Sequence, residues 1–318
     1  MDGYKDAHTH IHPSASATKA FMNALEFHGP WDGTIEQALP VMDKAGIATT
    51  MIVPLVADTK LLIERMEAAS ARGVKPDRDQ LIRELAAEQS AYNSWAAAAA
   101  RKHKGRFAGL IAVNPVLFGE DWTRKEIAAR LAEGACGIKI LPMYIGVYPA
   151  DPKMAVVWEE ADRRGLGVLT LATAHIPPEG LGKIGLSESL TDIHHPNRFE
   201  DVVRSYPRLR LVLAHLGMGA EQDTVRLAGK YPNVFTDTSL RLHEVGTASG
   251  WSLNETAELF RRIGTDRVLF ATNYPFVSQA DYVEVMEKLP LTEDERRRIG
   301  WENCNRVYGL VSCPANIV

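Results

Sequence analysis

Arg106-Phe107-Ala108-Gly109-Leu110-Ile111-Ala112-Val113 is apolar at nearly every position after its first residue. A strand with one wet face alternates apolar and polar side chains. A strand covered on both faces, as in a parallel sheet, does not. The same kind of run recurs on both sides of this one. Upstream lie residues 47–54 (IATTMIVP) and a short extended run over residues 4–10. Downstream lie 136–141 (CGIKIL), 167–172 (GVLTLA), 209–215 (LRLVLAH), 234–237 and 267–271 (RVLFA). Helical stretches separate consecutive runs. One opens at the cap Thr34-Ile35-Glu36-Gln37 and stops at Gly46. The longest excursion, about 58–104, is broken at Gly73 and Pro76. Residues 11–33 and 174–196 read as loops, with prolines and glycines as breakers. Strand alternating with helix means right-handed βαβ units. Eight of them predict an α/β fold, a single (β/α)8 TIM barrel, over one domain, 1–318.

The bulk composition narrows the partner class. The chain has 318 residues, 46% hydrophobic and 24% charged, with a net charge of -4. No Lys/Arg run forms a nucleic-acid patch, so a small-molecule partner is expected. Cys136, Cys304 and Cys313 form no C-x-x-C pair, which suits a reducing compartment. No apolar run reaches the roughly 18 residues of a membrane span, and the N-terminus has no apolar signal region. The cytoplasm is the default location.

A barrel of this kind places its chemistry at the C-terminal ends of its strands. Asp6-Ala7-His8-Thr9-His10 ends the first strand, and residues at i and i+2 share one face. His8 and His10 therefore project together, as half of a divalent metal site would. The other polar residues at strand ends are Lys139, His215, Asp237 and Asn273. The fifth strand offers Thr170, Leu171 and Thr173, with His175 slightly later. Asp237 is expected to orient a neighbour. Arg241 is a candidate clamp for a substrate carboxylate, and Tyr144, Tyr148 and Trp31 are candidates for the pocket rim. Gly180-Leu181-Gly182-Lys183 lacks the spacing and the hydroxyl residue of a P-loop, and neither G-x-S-x-G nor G-x-G-x-x-G appears.

The chain resembles the amidohydrolase-related family that includes aminocarboxymuconate semialdehyde decarboxylase, resorcylate-type decarboxylases and assorted hydrolases. The resemblance runs through DAHTHIHP (6–13), MDKAGI (42–47), RFAGLIAVNP (106–115), GIKILP (137–142), HPNRFEDVVRSYPRLRLVLAHLG (195–217), YPNVFTDTS (231–239), DRVLFATNYPF (266–276) and ENCNRVYGL (302–310). It implies a metal-dependent barrel in which His8 and His10 match the metal pair of the first strand. His215 matches an acid or base beside the metal, and Lys139 matches the lysine of a G-x-K pattern. It also implies a metal-binding histidine where this chain has Leu171, and an aspartate where it has Asn273. Leucine binds no metal, and asparagine offers only a neutral carbonyl oxygen.

The expected function is therefore a hydrolase or lyase acting on a small carboxylated or cyclic substrate. His215 and Asn273 are its catalytic candidates, and Lys139, His175, Arg241 and Tyr144 its substrate-binding candidates. One divalent ion, zinc by preference, would sit in a weakened site on His8 and His10, with His175 or water as substitute ligand, or no metal is used. The alternatives are a zinc-dependent non-oxidative decarboxylase and a catalytically silent ligand-binding relative. The resemblance also admits a homodimer.

Overall fold

The computed structural model describes residues 3–24, 27, 29–183, 187–248 and 250–310. Eight strands form one sheet in sequential order: β1 (Tyr4–Thr9), β2 (Ile47–Ile52), β3 (Phe107–Ala112), β4 (Gly137–Ile140), β5 (Gly167–Thr170), β6 (Arg210–Leu213), β7 (Val234–Asp237) and β8 (Val268–Leu269). Every neighbouring pair is parallel. The sheet closes on itself where β8 returns to β1. The Ala7 N–H donates to the Phe270 carbonyl at 2.9 Å, and the Asn273 N–H to the His8 carbonyl at 2.8 Å. The architecture is the single (β/α)8 barrel that the apolar runs predict.

The barrel has two apolar layers. One lies between strands and outer helices, where Trp158, Phe199 and Phe260 are fully buried. The other fills the interior with Met51, Leu110, Leu169, Val212 and Leu269. Below it the last helix, Asn303–Tyr308, pushes Val307 and Tyr308 up into the barrel floor. A Cβ on Gly137 or Gly167 would come within 2.9 or 2.8 Å of the Tyr308 ring. Those two strands can start with nothing larger than glycine.

The excursion after β2 folds as two helices, Thr59–Ala71 and Arg78–Lys102, capped by Asp58 and Asp77. Asn93 latches the longer helix to β3 by hydrogen bonds to both the N–H and the carbonyl of Ala112. The expected loop 11–33 contains a helix, Ala15–Ala24. Its start is held by Ser14, whose hydroxyl accepts from the Ala17 N–H and whose carbonyl accepts from the Thr18 N–H. Ser, Ala and Thr show no apolar stripe there, which is why periodicity does not reveal it. The second expected loop, 174–196, carries a short helix at Pro178–Lys183. Cys136 and Cys304 are free thiols, and Cys313 lies outside the described residues. Among the described residues no helix is long and apolar enough to cross a membrane.

Candidate active site

A cavity of about 240 Å³ opens at the C-terminal ends of the strands. His8, His10, Lys139, Tyr144, His215 and Asn273 line it together. Leu171 faces the same space, with Leu141, Met143, Leu240 and the rings of Phe21, Phe27 and Phe276. The polar groups therefore come from strand ends, and much of the apolar wall comes from the loops above them.

Backbone conformation aims the central groups. His215 and Leu216 have left-handed backbones (φ 64° and 55°), followed by Gly217, Met218 and Gly219, also at positive φ. Five such residues in a row turn the chain sharply at the end of β6, and L side chains adopt this region only when the surroundings enforce it. The His215 N–H donates to Asp237 Oδ1 at 3.0 Å, which fixes the turn. Asn273 is likewise left-handed (φ 74°), a conformation asparagine tolerates better than most residues.

Each imidazole is oriented through its Nδ1. His8 Nδ1 donates to Asp237 Oδ2 at 3.1 Å, His10 Nδ1 to the Val53 carbonyl at 3.2 Å, and His215 Nδ1 to the Ser239 carbonyl at 2.9 Å. Carbonyls and carboxylates only accept, so these bonds put the proton on Nδ1 and leave Nε2 as a bare lone pair in the neutral ring. The Ser239 hydroxyl sits among all three partners, contacting His8 Nδ1, His215 Nδ1 and Asp237 Oδ1. Burial pushes His8 below the ordinary imidazole value, His10 well below it, and His215 down to about 4. Burial alone would raise Asp237, but its hydrogen bond to His8 and the imidazoles around it hold the carboxyl below the usual range. The result is an anionic carboxylate behind neutral imidazoles, as expected of a residue that orients its neighbours.

Lys139 reaches the pocket from β4 and is 5% exposed. Its ammonium has no hydrogen bond or ion pair with any described residue. Burial lowers it to about 8, against a partial pull upward from Asp237.

Ligand atoms of His8, His215 and Asp237 lie within 4.8 Å of one another. Asp237, however, spends Oδ1 on the N–H groups of His215 and Ser239 and Oδ2 on His8. The atoms left open to an ion are different. His8 Nε2 and Asn273 Oδ1 are buried and have no hydrogen-bond partner among the described residues. With His10 Nε2 they form a neutral nitrogen and oxygen donor set. Its imidazoles are braced from behind on oxygen acceptors, as metal-binding histidines are. With the carboxylate of that cluster, Asp237, already engaged and with hydrocarbon at Leu171, the residues lining the cavity offer a divalent ion only these neutral donors.

Two expected site residues are not brought into the pocket. His175 is exposed, because its loop is pinned flat by the Ala174 N–H on the Met218 carbonyl and the Ile176 N–H on the Thr191 carbonyl. Arg241 points away, paired with Glu221 at 3.2 Å and Glu244 at 3.0 Å and lying over the Trp251 ring. At the expected rim, Tyr148 bonds to Asp192, and Trp31 packs beside Tyr274. Sequence reasoning missed Ser239 and the three phenylalanines. The TDTS run signalled Ser239 weakly, two residues after Asp237 on one strand face. Nothing marked the rings.

The family model for Amidohydrolase matches residues 6–310. Gamma-resorcylate decarboxylase from Polaromonas sp. (strain JS666 / ATCC BAA-500) is 26% identical over 116 residues, which are 33% of this chain and 36% of that protein. The match thus spans little more than a third of that relative's length. 2,6-Dihydroxybenzoate decarboxylase from Rhizobium superposes with a TM-score of 0.68 at 19% identity, covering 97% of this chain and 99% of the other. A dihydroxybenzoic acid decarboxylase from Polaromonas sp. JS666, with bound manganese and the inhibitor 2-nitroresorcinol, gives 0.65 at 18%, covering 97% of each. At these identities the structural likeness concerns the fold. The family match, by contrast, takes in β2 to β8, most of β1 and every pocket residue named above, and on that extent this chain belongs to the amidohydrolase family.

Proposed function

We propose that this chain is a carboxy-lyase that releases CO2 from a small carboxylated substrate with a flat apolar body. The observation that carries the reading is Lys139, a cation without a partner among the described residues, in a pocket walled by Leu141, Met143, Leu171, Leu240 and three phenylalanine rings. An acid whose carboxylate meets Lys139 and whose body lies against the rings would satisfy both halves of the pocket. Removing the carboxylate from water favours its loss as neutral CO2. His215, with Nδ1 held on Ser239 and Nε2 open to the pocket, is placed to take a proton from water on Nε2 and pass it to the carbon that loses CO2. The decarboxylase names among the relatives agree with this reading.

His8, His10 and Asn273 would hold a divalent ion, which when bound supplies positive charge for the electrons left on the substrate. The amide at 273 and the leucine at 171 make that hold weak. Hydrolysis is less well served. It needs a group that takes a proton from water; the amide of Asn273 cannot, which leaves that step to an imidazole such as His215.

The test is CO2 release from a panel of small aromatic and keto carboxylic acids, with and without zinc or manganese. His215→Ala should lower any turnover found by roughly 10²–10⁴-fold. Tight binding of acids with no CO2 from any of them would make the chain a ligand-binding relative instead.

A further inference from the structure

Phe27 belongs to two cavities. It lines the pocket at the strand ends, and it also lines a second hollow of about 370 Å³ beside the helix Ala15–Ala24. Lys19, Met22, Asn23, Pro30, Trp31 and Asp32 stand around this outer hollow. It is not slack packing, because the chain on either side comes as close as glycine allows. A Cβ on Gly29 would lie 3.2 Å from Met22 Cε and 3.3 Å from the Pro275 carbonyl oxygen, and one on Gly33 would lie 2.8 Å from Thr18. Phe27 itself is held lightly. It is 38% exposed and meets Phe276 edge to face, with ring centroids 4.6 Å apart. A ring so exposed changes rotamer readily, and turning it joins the two spaces.

The chemistry of the outer hollow suits the far end of a ligand. Trp31, Met22 and Pro30 offer apolar surface to a ring. Lys19 has no hydrogen bond or ion pair with any described residue. Asp32 supplies the opposite charge, with Oδ1 accepting from the N–H and hydroxyl of Thr34. One charge of each sign favours a neutral end over a second carboxylate. We propose that the outer hollow is a second subsite, and that the acid this protein takes is a two-ring monocarboxylic acid. Its carboxylate meets Lys139, and its first ring lies against Phe21, Leu171 and Phe276. Its second ring passes Phe27 and lies beside Trp31. The inference rests on the carboxylate-binding half of the carboxy-lyase reading, and not on CO2 loss.

The probe is 4-(4-azidobenzyl)benzoate, a two-ring acid whose azide loses N2 under ultraviolet light and attaches to whatever lies beside its far ring. Wild-type protein is irradiated with it, and its peptides are mapped by mass spectrometry. The expected attachment is to Lys19, Met22, Asn23 or Trp31, and excess benzoate should prevent it by filling the inner pocket. In titration calorimetry 4-benzylbenzoate should bind roughly tenfold or more tightly than benzoate, since a second ring leaves water. Attachment only to inner-wall residues such as Leu55 or Met143, or equal affinities for the two acids, overturns the subsite and leaves the carboxy-lyase reading standing. Attachment in the outer hollow that survives excess benzoate also overturns it, because the hollow then binds on its own. Attachment that benzoate prevents, with no CO2 released from any two-ring acid, keeps the subsite and removes the lyase. Binding of neither acid overturns both.

Discussion

His194 donates from Nδ1 to the carbonyl of Leu171 at 3.1 Å and accepts the Met143 N–H on Nε2 at 3.2 Å. It is fully buried, and both nitrogens are in use. The family resemblance calls for an imidazole at position 171. One stands behind that position instead, supplied by the following loop and unable to bind an ion. It joins two residues of the pocket wall, one after β5 and one after β4.

His194→Ala removes both bonds and a buried ring. The Leu171 carbonyl and Met143 N–H lose their partners and a cavity remains, so a loss of about 2–4 kcal/mol is expected. Urea unfolding of the purified variant measures it. A change below the error of the method would mean that the wall holds itself without the imidazole.

Restoring the missing donors should restore the metal. Leu171→His with Asn273→Asp adds an imidazole and a carboxylate to the set formed by His8 and His10. The double variant should bind zinc or manganese at least about 10–100-fold more tightly than wild type. Titration calorimetry checks this without any substrate, and equal affinities would place the ion elsewhere.

Acid should unfold the protein early. His215 and His194 are held down to about 4 and about 3 by burial, and His8, His10 and His12 are lowered too. Between the ordinary imidazole value, 6.5, and those folded values the unfolded chain binds more protons. Stability therefore rises with pH through the window and falls on acidification from 6.5 toward 4. Burial raises Asp6 and Asp58 to about 6, so they oppose this between 6 and 3.8, but two carboxyls face five imidazoles. Urea midpoints at pH 7, 6, 5 and 4 should decline steadily. A midpoint independent of pH would show that these rings are not held neutral.

Gly217→Ala should disturb the turn that aims His215. Its φ is 87°, and an added Cβ would lie 2.2 Å from Thr224 Oγ1. Left-handed strain and overlap together should cost about 2 kcal/mol or more. Thermal unfolding reads the cost, and binding of a small aromatic acid should weaken with it. An unchanged Tm would mean that the helix Glu221–Lys230 yields easily.

The strands were legible because a barrel strand is covered on both faces and shows it as an unbroken apolar run. His8, His10, Lys139, His215 and Asn273 were legible for a related reason, since strand ends have a fixed place in the architecture. Side chains on loops have no such address. Spacing along the chain could not tell that His175 turns outward while His194 turns in. Nor could it show that Arg241 finds its carboxylate in Glu221, on a different helix. Phe21 sits on a helix that periodicity hides, and Phe27 and Phe276 reach the pocket only once the barrel is closed.

That closure has a consequence for how the pocket comes into being. The Asn273 amide hangs on the His8 carbonyl, and the Thr272 N–H and hydroxyl and the Gln279 side chain grip the Asp6 carboxylate. The cavity straddles the seam between first and last strand, joining residues more than 260 positions apart. No fragment lacking either strand can hold half a site, and a cut loop elsewhere in the ring harms it less than a loosened seam. An occupant touching both His8 and Asn273 acts as a clasp, so its arrival should be felt first as slower hydrogen exchange along β1 and β8.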